Sequence, residues 1–389
     1  MKPTSLAVVA ALALCQSPTL GADIQTLPTG STLPPFELPG TDGNSHSQDD
    51  YAEADILAIL FTCNHCPTAQ AYEERVKNLV TDYAAKSFQL VAVSPNDPQA
   101  VRLDELGYSI HNDTLEGMKA HAKTYGFNFP YLYDGESQAF SKAMGVQATP
   151  HLFVFNKDRH LQYSGRIDDS ESGREIKSHD ARSAIDALLA GQPVPVSETR
   201  AFGCSTKWAS KRDARAEADM AWQKRPVTLE RAGPDALQKL AQGPPEGTGL
   251  RLINLWATWC GPCLTEMPDL VEVNRQFESR GFDLVTISLD DPSMEAAALK
   301  KLAQLHVTHS ASTAADILDP EGRSTSNFLY DATDKDALAQ AIDPEWPGAL
   351  PHSILIAPGG EVVYRKTGAI DPHELRGAIV GHLGRTYGK

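Results

Sequence analysis

Apolar and polar stretches alternate in the same order in the two halves of the chain. Short apolar runs bounded by turn residues predict buried strands, and polar stretches with one apolar face predict helices. In the first half we predict strands at Ile56–Phe61 and Phe88–Ser94 and helices at 70–86 and Thr114–Tyr125. In the second half we predict strands at Leu252–Ala257 and Phe282–Leu289 and helices at Leu264–Arg280 and Ser293–His306. Strands that alternate with helices predict an α/β fold.

Both halves also close in the same way. A proline step, Thr149-Pro150 in the first half and Leu350-Pro351 in the second, opens a strand that is followed by a turn, another strand and a helix. Pro150 follows Cys63 by 87 residues, and Pro351 follows Cys260 by 91. This agreement predicts a duplicated unit. The predicted fold class is two tandem domains, each a central mixed sheet flanked by helices.

The predicted domain boundaries follow the changes in composition. The first domain covers 23–210 and begins with an arm, 23–50, that is rich in Pro, Gly and polar residues and shows no apolar period. The second domain covers 227–389, and residues 211–226 form the linker. We expect the connecting region to be flexible, which would let the two domains meet.

The first residues have the layout of a secretory signal peptide. Residues 1–22 combine an early lysine, an apolar run from Leu6 to Cys15 and small residues before a cleavage site near Ala22. Leu14 before Cys15 is bulkier than the residue that lipoprotein processing prefers, which disfavours a lipid anchor. No later apolar stretch approaches 18 residues, so we expect no membrane span in the mature chain. The predicted location is periplasmic or extracellular.

The charge balance argues against nucleic acid and anionic membranes as partners. The formal net charge is -15, whereas binding to nucleic acid or to an anionic membrane needs clustered Lys and Arg. The apolar fraction of 41% is sufficient for packed cores.

The cysteines point to redox chemistry. Besides Cys15 and Cys204, the chain has two Cys-x-x-Cys pairs, Cys63/Cys66 and Cys260/Cys263. Structural disulfides are typical of small secreted chains with dispersed cysteines, whereas tight pairs in a large chain indicate redox sites. In both motifs an apolar strand leads into the first cysteine, so we expect that thiol at the start of a helix. The helix N-terminus favours the thiolate, which is the attacking species in disulfide exchange.

The second motif carries a family resemblance. INLWATWCGPCLTEMP closely resembles the exported TlpA/ResA-like thiol–disulfide oxidoreductases of the thioredoxin superfamily, over about residues 227–389. The resemblance implies that Cys260 attacks, that Cys263 resolves the mixed disulfide, and that Pro351 is the cis-proline of the substrate groove. A cis bond would turn the preceding backbone toward the thiols.

Three further residues near this motif are candidates for tuning it. Asn254 occupies the position of the buried Asp of cytoplasmic thioredoxins, and a neutral amide cannot act as a base. Glu266 is either a base or pKa tuner, or an exposed carboxylate in the first turn of the helix. Trp259 is expected to shield the cysteine pair.

The first motif resembles another branch of the superfamily. FTCNHCP, GVQATPHLFVF and AFGCSTKW resemble redoxin domains of the AhpC/TSA type, over about residues 30–210. The resemblance assigns Cys63 and Cys66 as the redox pair and Thr149-Pro150 as the cis-proline step. A peroxidatic cysteine needs a threonine three residues before it, and Leu60 and Cys63 stand there instead, which argues against direct peroxide reduction.

His65 and Cys204 leave alternatives open. A cationic His65 would stabilise the Cys63 thiolate and make the first site the more oxidising one, so that electrons flow from the second site to the first. Alternatively, His65 caps the helix and faces water. Cys204 is an inert buried residue, a structural partner on the domain surface, or a third redox thiol that resolves Cys63 or Cys66.

The predicted function is an exported thiol–disulfide oxidoreductase. It would exchange disulfides with protein disulfide or dithiol substrates through both motifs, draw on an unidentified electron donor and need no organic cofactor. We predict no metal site. Two alternatives are a thiol-dependent, peroxide-reducing antioxidant protein and a copper-handling or binding protein on a thioredoxin scaffold, since thiolates and imidazole suit Cu(I).

Overall fold

The computed structural model describes residues 24–247, 249–309 and 325–387. The predicted signal peptide and Cys15 lie outside these residues. In the part of the chain that is described, no helix combines the length and the apolar character needed to cross a bilayer.

The first unit is built around one sheet. Its elements are β1 (Glu37–Pro39), β2 (Ser45–Ser47), β3 (Ile56–Phe61), α1 (Pro67–Asp82), β4 (Phe88–Ser94), α2 (Leu115–Thr124), β5 (Tyr131–Tyr133), α3 (Ala139–Met144), β6 (Ala148–Thr149), β7 (His151–Phe155), β8 (Leu161–Gly165), α4 (Asp180–Leu189) and β9 (Cys204–Ser205). The main sheet has the order β5-β4-β3-β7-β8, with β3 parallel to β4 and antiparallel to β7. The predicted mixed sheet is thereby confirmed.

The central strand β3 explains why its sequence is continuously apolar. Successive side chains of a strand point to opposite faces of the sheet. Leu57, Ile59 and Phe61 enter the hydrophobic cluster on one face, while Ile56 and Leu60 enter the cluster on the other. Both faces are covered, so every position along β3 must be apolar.

The second unit repeats this plan with a wider sheet. After α5 (Arg212–Gln223), its elements are β10 (Glu230–Ala232), α6 (Pro234–Leu240), β11 (Leu250–Trp256), α7 (Gly261–Phe277), β12 (Phe282–Ser288), α8 (Glu295–Gln304), β13 (Asn327–Tyr330), α9 (Lys335–Ile342), β14 (His352–Ile356), β15 (Val362–Thr367) and α10 (Pro372–Leu383). The sheet order is β10-β13-β12-β11-β14-β15, and β11 is parallel to β12 and antiparallel to β14. Short 3-10 helices lie at Gln48–Tyr51, Pro98–Ala100, Leu103–Leu106, Ala209–Lys211, Glu278–Arg280 and Pro292–Met294.

Two segments differ from expectation. The arm at 23–50 contains the β1–β2 hairpin, and its Leu33, Phe36 and Leu38 are buried in the first core. Strands of three residues are too short to show a period in the sequence. The expectation of a flexible linker at 211–226 is also wrong: most of it is helix α5, because Trp222 is buried in the second core and fixes the helix there.

The two units are in direct contact. From α7 of the second unit, Gln276 Nε2 donates to the Ser109 carbonyl at 3.0 Å, and from the turn after α7 Arg280 Nη1 donates to the Gly107 carbonyl at 2.8 Å. Ile110 packs against the second core. At the other end, Arg385 pairs with Glu73 at 2.8 Å. The segment 103–113 of the first unit therefore lies between the two cores.

Candidate redox centres

The two cysteine motifs occupy one structural frame. In the first unit β3 pairs Phe61 with His151, directly after Pro150, and in the second unit β11 pairs Leu255 with His352, directly after Pro351. Both X-Pro bonds are cis, as predicted. In both units the N-cap of the following helix lies five residues beyond the paired strand residue, which makes the positions of the cysteines directly comparable.

The cysteine that begins the helix differs between the units. Cys260, the first cysteine of its motif, is the N-cap of α7, whereas Cys66, the second of its motif, is the N-cap of α1. The Cys260 sulfur accepts a hydrogen bond from the Cys263 amide at 3.3 Å, and the Cys66 sulfur accepts one from the Ala69 amide at 3.4 Å. The expectation that Cys63 begins a helix is therefore wrong. Cys66 corresponds to Cys260, and Ala69 to Cys263.

The second pair is closed and lies near the surface. Cys260 and Cys263 form a disulfide, with their Cα atoms 5.3 Å apart. Cys260 retains 6% exposure, while Cys263 is fully buried. Trp259, which we expected to shield the pair, is 68% exposed. A partner can thus reach the Cys260 side of the bond and the Trp259 ring together.

A buried carboxyl group lies one helical turn beyond Cys263. Glu266 is buried, so the alternative of an exposed carboxylate is wrong. Its oxygens accept hydrogen bonds from Asn254 Nδ2 at 2.9 Å and from the Ile370 amide at 2.8 Å. Burial raises the pKa of Glu266 despite these two hydrogen bonds. Asn254 also donates to Ser353 Oγ at 3.0 Å and so fixes the orientation of the carboxyl group.

The first site holds its cysteines as thiols in a closed environment. Cys63 and Cys66 are both reduced and buried. Thr149, which precedes the cis-proline, contacts both: its Oγ1 is 3.1 Å from the Cys63 sulfur, and its carbonyl oxygen is 3.2 Å from the Cys66 sulfur. The predicted proline step therefore lies directly against this pair.

His65 is fixed by a residue that the sequence did not reveal. Its Nδ1 lies 2.6 Å from Asp113 Oδ2, and both side chains are buried, so the alternative of a water-facing cap is wrong. Asp113 also accepts from the Asn64 amide and from Asn96 Nδ2, each at 2.9 Å. Burial alone would lower the pKa of His65, but the Asp113 charge raises it. The sequence Asn112-Asp113-Thr114 indicates only a helix cap, and nothing in it points to His65.

Cys204 joins the first site from a distant part of the chain. Strand β9 pairs with β6, so that Cys204 stands opposite Thr149. The Cys204 amide donates to the Cys66 sulfur at 3.4 Å, and Cys204 packs against Cys63 and Cys66. Burial would raise the pKa of Cys66, yet the neighbouring thiols and the His65 charge hold it well below the ordinary value. The pKa of Cys204 is raised, mainly because its thiol donates to Cys66.

The redoxin family model matches residues 28–185 and 247–379 of this chain. The chain belongs to the redoxin family. The first match contains the whole five-stranded sheet, the second contains the six-stranded sheet except β10, and each redoxin unit carries one of the cysteine motifs. The thioredoxin-superfamily resemblance expected from the motifs is thus confirmed.

Individual relatives match shorter stretches of the redoxin chain. It is 42% identical over 45 residues to thiol-disulfide oxidoreductase ResA of Oceanobacillus iheyensis, which is 12% of this chain and 23% of the relative. It is 39% identical over 75 residues to a thiol:disulfide interchange protein DsbE homolog of Paracoccus denitrificans, which is 19% of this chain and 36% of the relative. The chain therefore spans only about a quarter to a third of the length of these curated relatives.

Solved structures match about half of the redoxin chain. A hypothetical protein from Sinorhizobium meliloti is 32% identical, with a TM-score of 0.43, over 48% of this chain and 97% of that one. An uncharacterized conserved protein from Geobacillus kaustophilus is 36% identical, with a TM-score of 0.42, over 46% of this chain and 92% of that one.

One side-chain group in the first redoxin unit has the composition of a metal site. Cys63, His65 and Asp113 offer ligand atoms that all lie within 4.8 Å of one another. A thiolate and an imidazole are soft ligands that suit Cu(I) or Zn²⁺. However, Asp113 Oδ2 already bonds to His65 Nδ1, so the carboxylate orients the imidazole. The copper-handling alternative rests on this group.

Proposed function

We propose that the chain is an exported thiol–disulfide oxidoreductase that exchanges disulfides with protein substrates, with Cys260 as its partner-facing sulfur. The observation that carries this proposal is the Cys260–Cys263 disulfide at the start of α7, in which Cys260 retains 6% exposure beside the exposed Trp259 and Cys263 is fully buried. The signal-peptide pattern of residues 1–22 supports export.

The chemistry follows from this asymmetry. A thiolate of the partner attacks the Cys260 sulfur, the bond to Cys263 breaks, and Cys263 leaves as a thiolate that takes up a proton. A second partner thiolate then attacks the mixed disulfide, and Cys260 leaves as a thiolate stabilised by the N-terminus of α7. In the reverse direction the reduced pair reduces a substrate disulfide. The buried Glu266, whose pKa is raised, is positioned to exchange the proton of Cys263 through the interior.

Electrons would pass from the second site to the first. A stabilised thiolate makes a disulfide more oxidising, because it favours the reduced state. Cys66 accepts hydrogen bonds from two backbone amides, and its pKa is held low against burial by the neighbouring thiols and the His65 charge, whereas Cys260 accepts one hydrogen bond from a backbone amide. This comparison replaces the expectation that His65 acts on Cys63, since the favoured thiolate is Cys66. Redox titration of the full chain against glutathione, with each pair followed by mass spectrometry, should give the higher potential for the first site.

Insulin reduction tests the main proposal. The wild type should reduce insulin in the presence of dithiothreitol, and Cys260→Ser should reduce it no faster than dithiothreitol alone. Cys263→Ser should instead accumulate a mixed disulfide between Cys260 and insulin, visible on a non-reducing gel. An inactive wild type with no trapped species in Cys263→Ser would contradict the proposal.

Peroxide reduction remains a second candidate, because Cys66 is a buried thiol with a lowered pKa that only a small oxidant would reach directly. Thiol-dependent consumption of hydrogen peroxide that is lost in Cys66→Ser and retained in Cys260→Ser at saturating dithiothreitol would support it.

A further inference from the structure

The first redoxin unit lacks a thiol where the second unit has its buried one. Ala69 stands at the position of Cys263 relative to the start of the helix, and its amide makes the same hydrogen bond to the N-cap sulfur. Cys66 therefore cannot close a disulfide in the geometry of the second unit. Its redox partner is therefore either Cys63, in the turn before the helix, or Cys204, from another part of the fold.

The pairing of strands β6 and β9 brings Cys204 to Cys66. The β6–β9 ladder places Cys204 opposite Thr149, the residue before the cis-proline. Gly203 makes this approach possible: its φ is +135°, and a Cβ there would lie 2.1 Å from the Thr149 carbonyl oxygen. Tight packing of this kind brings Cys204 against Cys66, and the Cys204 amide donates to the Cys66 sulfur at 3.4 Å.

Access distinguishes Cys204 from Cys63. Cys63 and Cys66 are buried, whereas Cys204 is half-buried, and both of its neighbours, Gly203 and Ser205, are exposed. These neighbours also line an open cavity of about 910 Å³ on the surface of the first unit. The side chain of Cys204 is not part of the cavity wall, but Cys204 is the most exposed of the three thiols of the first site, so a partner sulfur meets it before it can meet Cys66.

We propose that Cys204 is the partner-facing thiol of the first site and that it forms a disulfide with Cys66, which is the buried thiol. This inference rests on the proposed function as a thiol–disulfide oxidoreductase. Both sites would then have one sulfur that faces the partner and one buried sulfur. They differ in that the two cysteines of the first site come from distant parts of the unit.

A partner thiolate attacks the Cys204 sulfur of the Cys66–Cys204 disulfide, a new partner–Cys204 bond forms, and Cys66 leaves as a thiolate. A second thiolate of the same partner attacks that mixed disulfide, and Cys204 leaves and takes up a proton. Two electrons pass from the partner dithiol to the cysteine pair. Cys66 is suited to leave because thiols of low pKa leave faster. In the opposite direction the Cys66 thiolate attacks a mixed disulfide on Cys204.

Tryptic mapping of the full chain tests the pairing. Trypsin releases Cys204 in the short peptide 201–207, while Cys66 lies in the peptide that ends at Arg75. Cys63→Ser, reduced and then oxidised with oxidised glutathione, should yield these two peptides joined by a disulfide. Wild type should yield the joined peptides as well, and because the peptide that ends at Arg75 contains both Cys63 and Cys66, fragmentation of the joined species should place the bond on Cys66; this keeps the test valid if Cys63→Ser does not fold. Absence of the joined peptides in wild type, with Cys204 still open to iodoacetamide after oxidation, would overturn the inference.

Variants of each partner assign the roles. In the Cys63→Ser background, Cys66→Ser should retain glutathione on Cys204 at a level at least several-fold above Cys63→Ser alone, because no buried thiol remains at the site to displace it. Cys204→Ser should acquire no glutathione at the first site, and Ser205→Ala, the matched control in the cavity wall, should behave as wild type. Glutathione on Cys66 in Cys204→Ser would overturn the assignment of Cys204 as the partner-facing thiol. Insulin reduction by the wild type reports separately on the proposed function, because it depends on Cys260.

Discussion

The CNHC and CGPC motifs occupy the same strand–turn–helix frame but place their cysteines one helical turn apart. In the second unit the N-cap is the first cysteine, and the second cysteine lies inside α7. In the first unit the N-cap is the second cysteine, and Cys63 lies in the turn before α1. The N-cap sulfur, whose thiolate the helix stabilises, has the same position in both units. Its disulfide partner comes from inside α7 in the second unit and, in our proposal, from outside α1 in the first.

The surroundings of the two N-cap sulfurs also differ. Cys260 retains 6% exposure next to an exposed Trp259, while Cys66 is fully buried and enclosed by Thr149 and Cys204. The buried polar group near each site differs as well: Glu266 with Asn254 in the second unit, and an ion pair of His65 with Asp113 in the first. The same Cys-x-x-Cys spacing therefore occurs in two different surroundings. The pair of the second unit is the more accessible one, and the pair of the first unit is enclosed beside a buried ion pair.

The largest expected difference between the sites is in thiol accessibility. In the fully reduced chain, iodoacetamide should modify Cys260 at least about a hundredfold faster than Cys66, since the buried sulfur reacts only after a local opening that costs free energy. Mass spectrometry of a time course measures both rates in one sample, and denatured protein is the control. Equal rates in the native chain would remove the distinction between an open and a closed site.

Removal of the buried charge at the first site should destabilise the chain strongly. Asp113→Asn leaves the His65 imidazolium without its partner, and loss of one member of a buried pair costs about 3 kcal/mol or more in the free energy of unfolding. The pKa of Asp113 is lowered from 3.8 and that of His65 raised from 6.5, so the loss should be greatest between these values. It should shrink as the pH rises through the raised pKa of His65.

Urea unfolding of Asp113→Asn at several pH values tests this expectation. Asp158→Asn, an exposed carboxylate in the turn between β7 and β8, is the matched control and should change the free energy of unfolding little. A loss that stays constant from pH 5 to 9 would show that the pair is not ionised in the native chain.

Neutralising Glu266 should slow the second site moderately. Glu266→Gln retains the shape of the side chain but cannot exchange a proton with Cys263, so insulin reduction should fall about tenfold or more. The titration of Glu266 should disappear from the pH profile of the rate. Glu272→Gln on the exposed face of α7 is the control, and an unchanged pH profile in Glu266→Gln would limit Glu266 to a packing role.

The same substitution has a predicted effect on stability. A carboxyl group whose pKa is raised by folding contributes stability below its unfolded pKa, near 4.5, and loses that contribution as the pH rises through its folded pKa. The stability of Glu266→Gln relative to wild type should therefore increase with pH, as measured by thermal unfolding at pH 4 to 8.

The smallest expected effect concerns the contact between the units. Arg385 pairs with Glu73 and lies 3.4 Å from the ring centre of Tyr125, and Arg385→Ala should cost about 1 kcal/mol. Calorimetry should show the unfolding transitions of the two units moving apart. Arg385→Lys preserves the charge and should lose less, and a Tm unchanged in both variants would mean that this contact contributes no stability.

The sequence by itself determined the duplicated α/β plan. Buried strands such as β3 and β11 and the proline steps before His151 and His352 leave local signals, because neighbouring residues must satisfy one periodicity or one turn geometry. Pro67 also carries a local signal for the start of α1. Proline favours the first helical position, which marks Cys66 as the N-cap.

Only the tertiary structure decided which side chains meet at the first site. His65 and Asp113 are 48 residues apart, and Cys66 and Cys204 are 138 apart. A hydrogen bond or thiol contact across such distances leaves no periodic trace in the chain. The pairing of β6 with β9 sets the contact of Cys204 with Cys66, and the packing of segment 103–113 between the two cores sets the contact of Asp113 with His65. The local pattern therefore placed the cysteines on a redox scaffold, and long-range packing decided which cysteines lie together and which charges surround them.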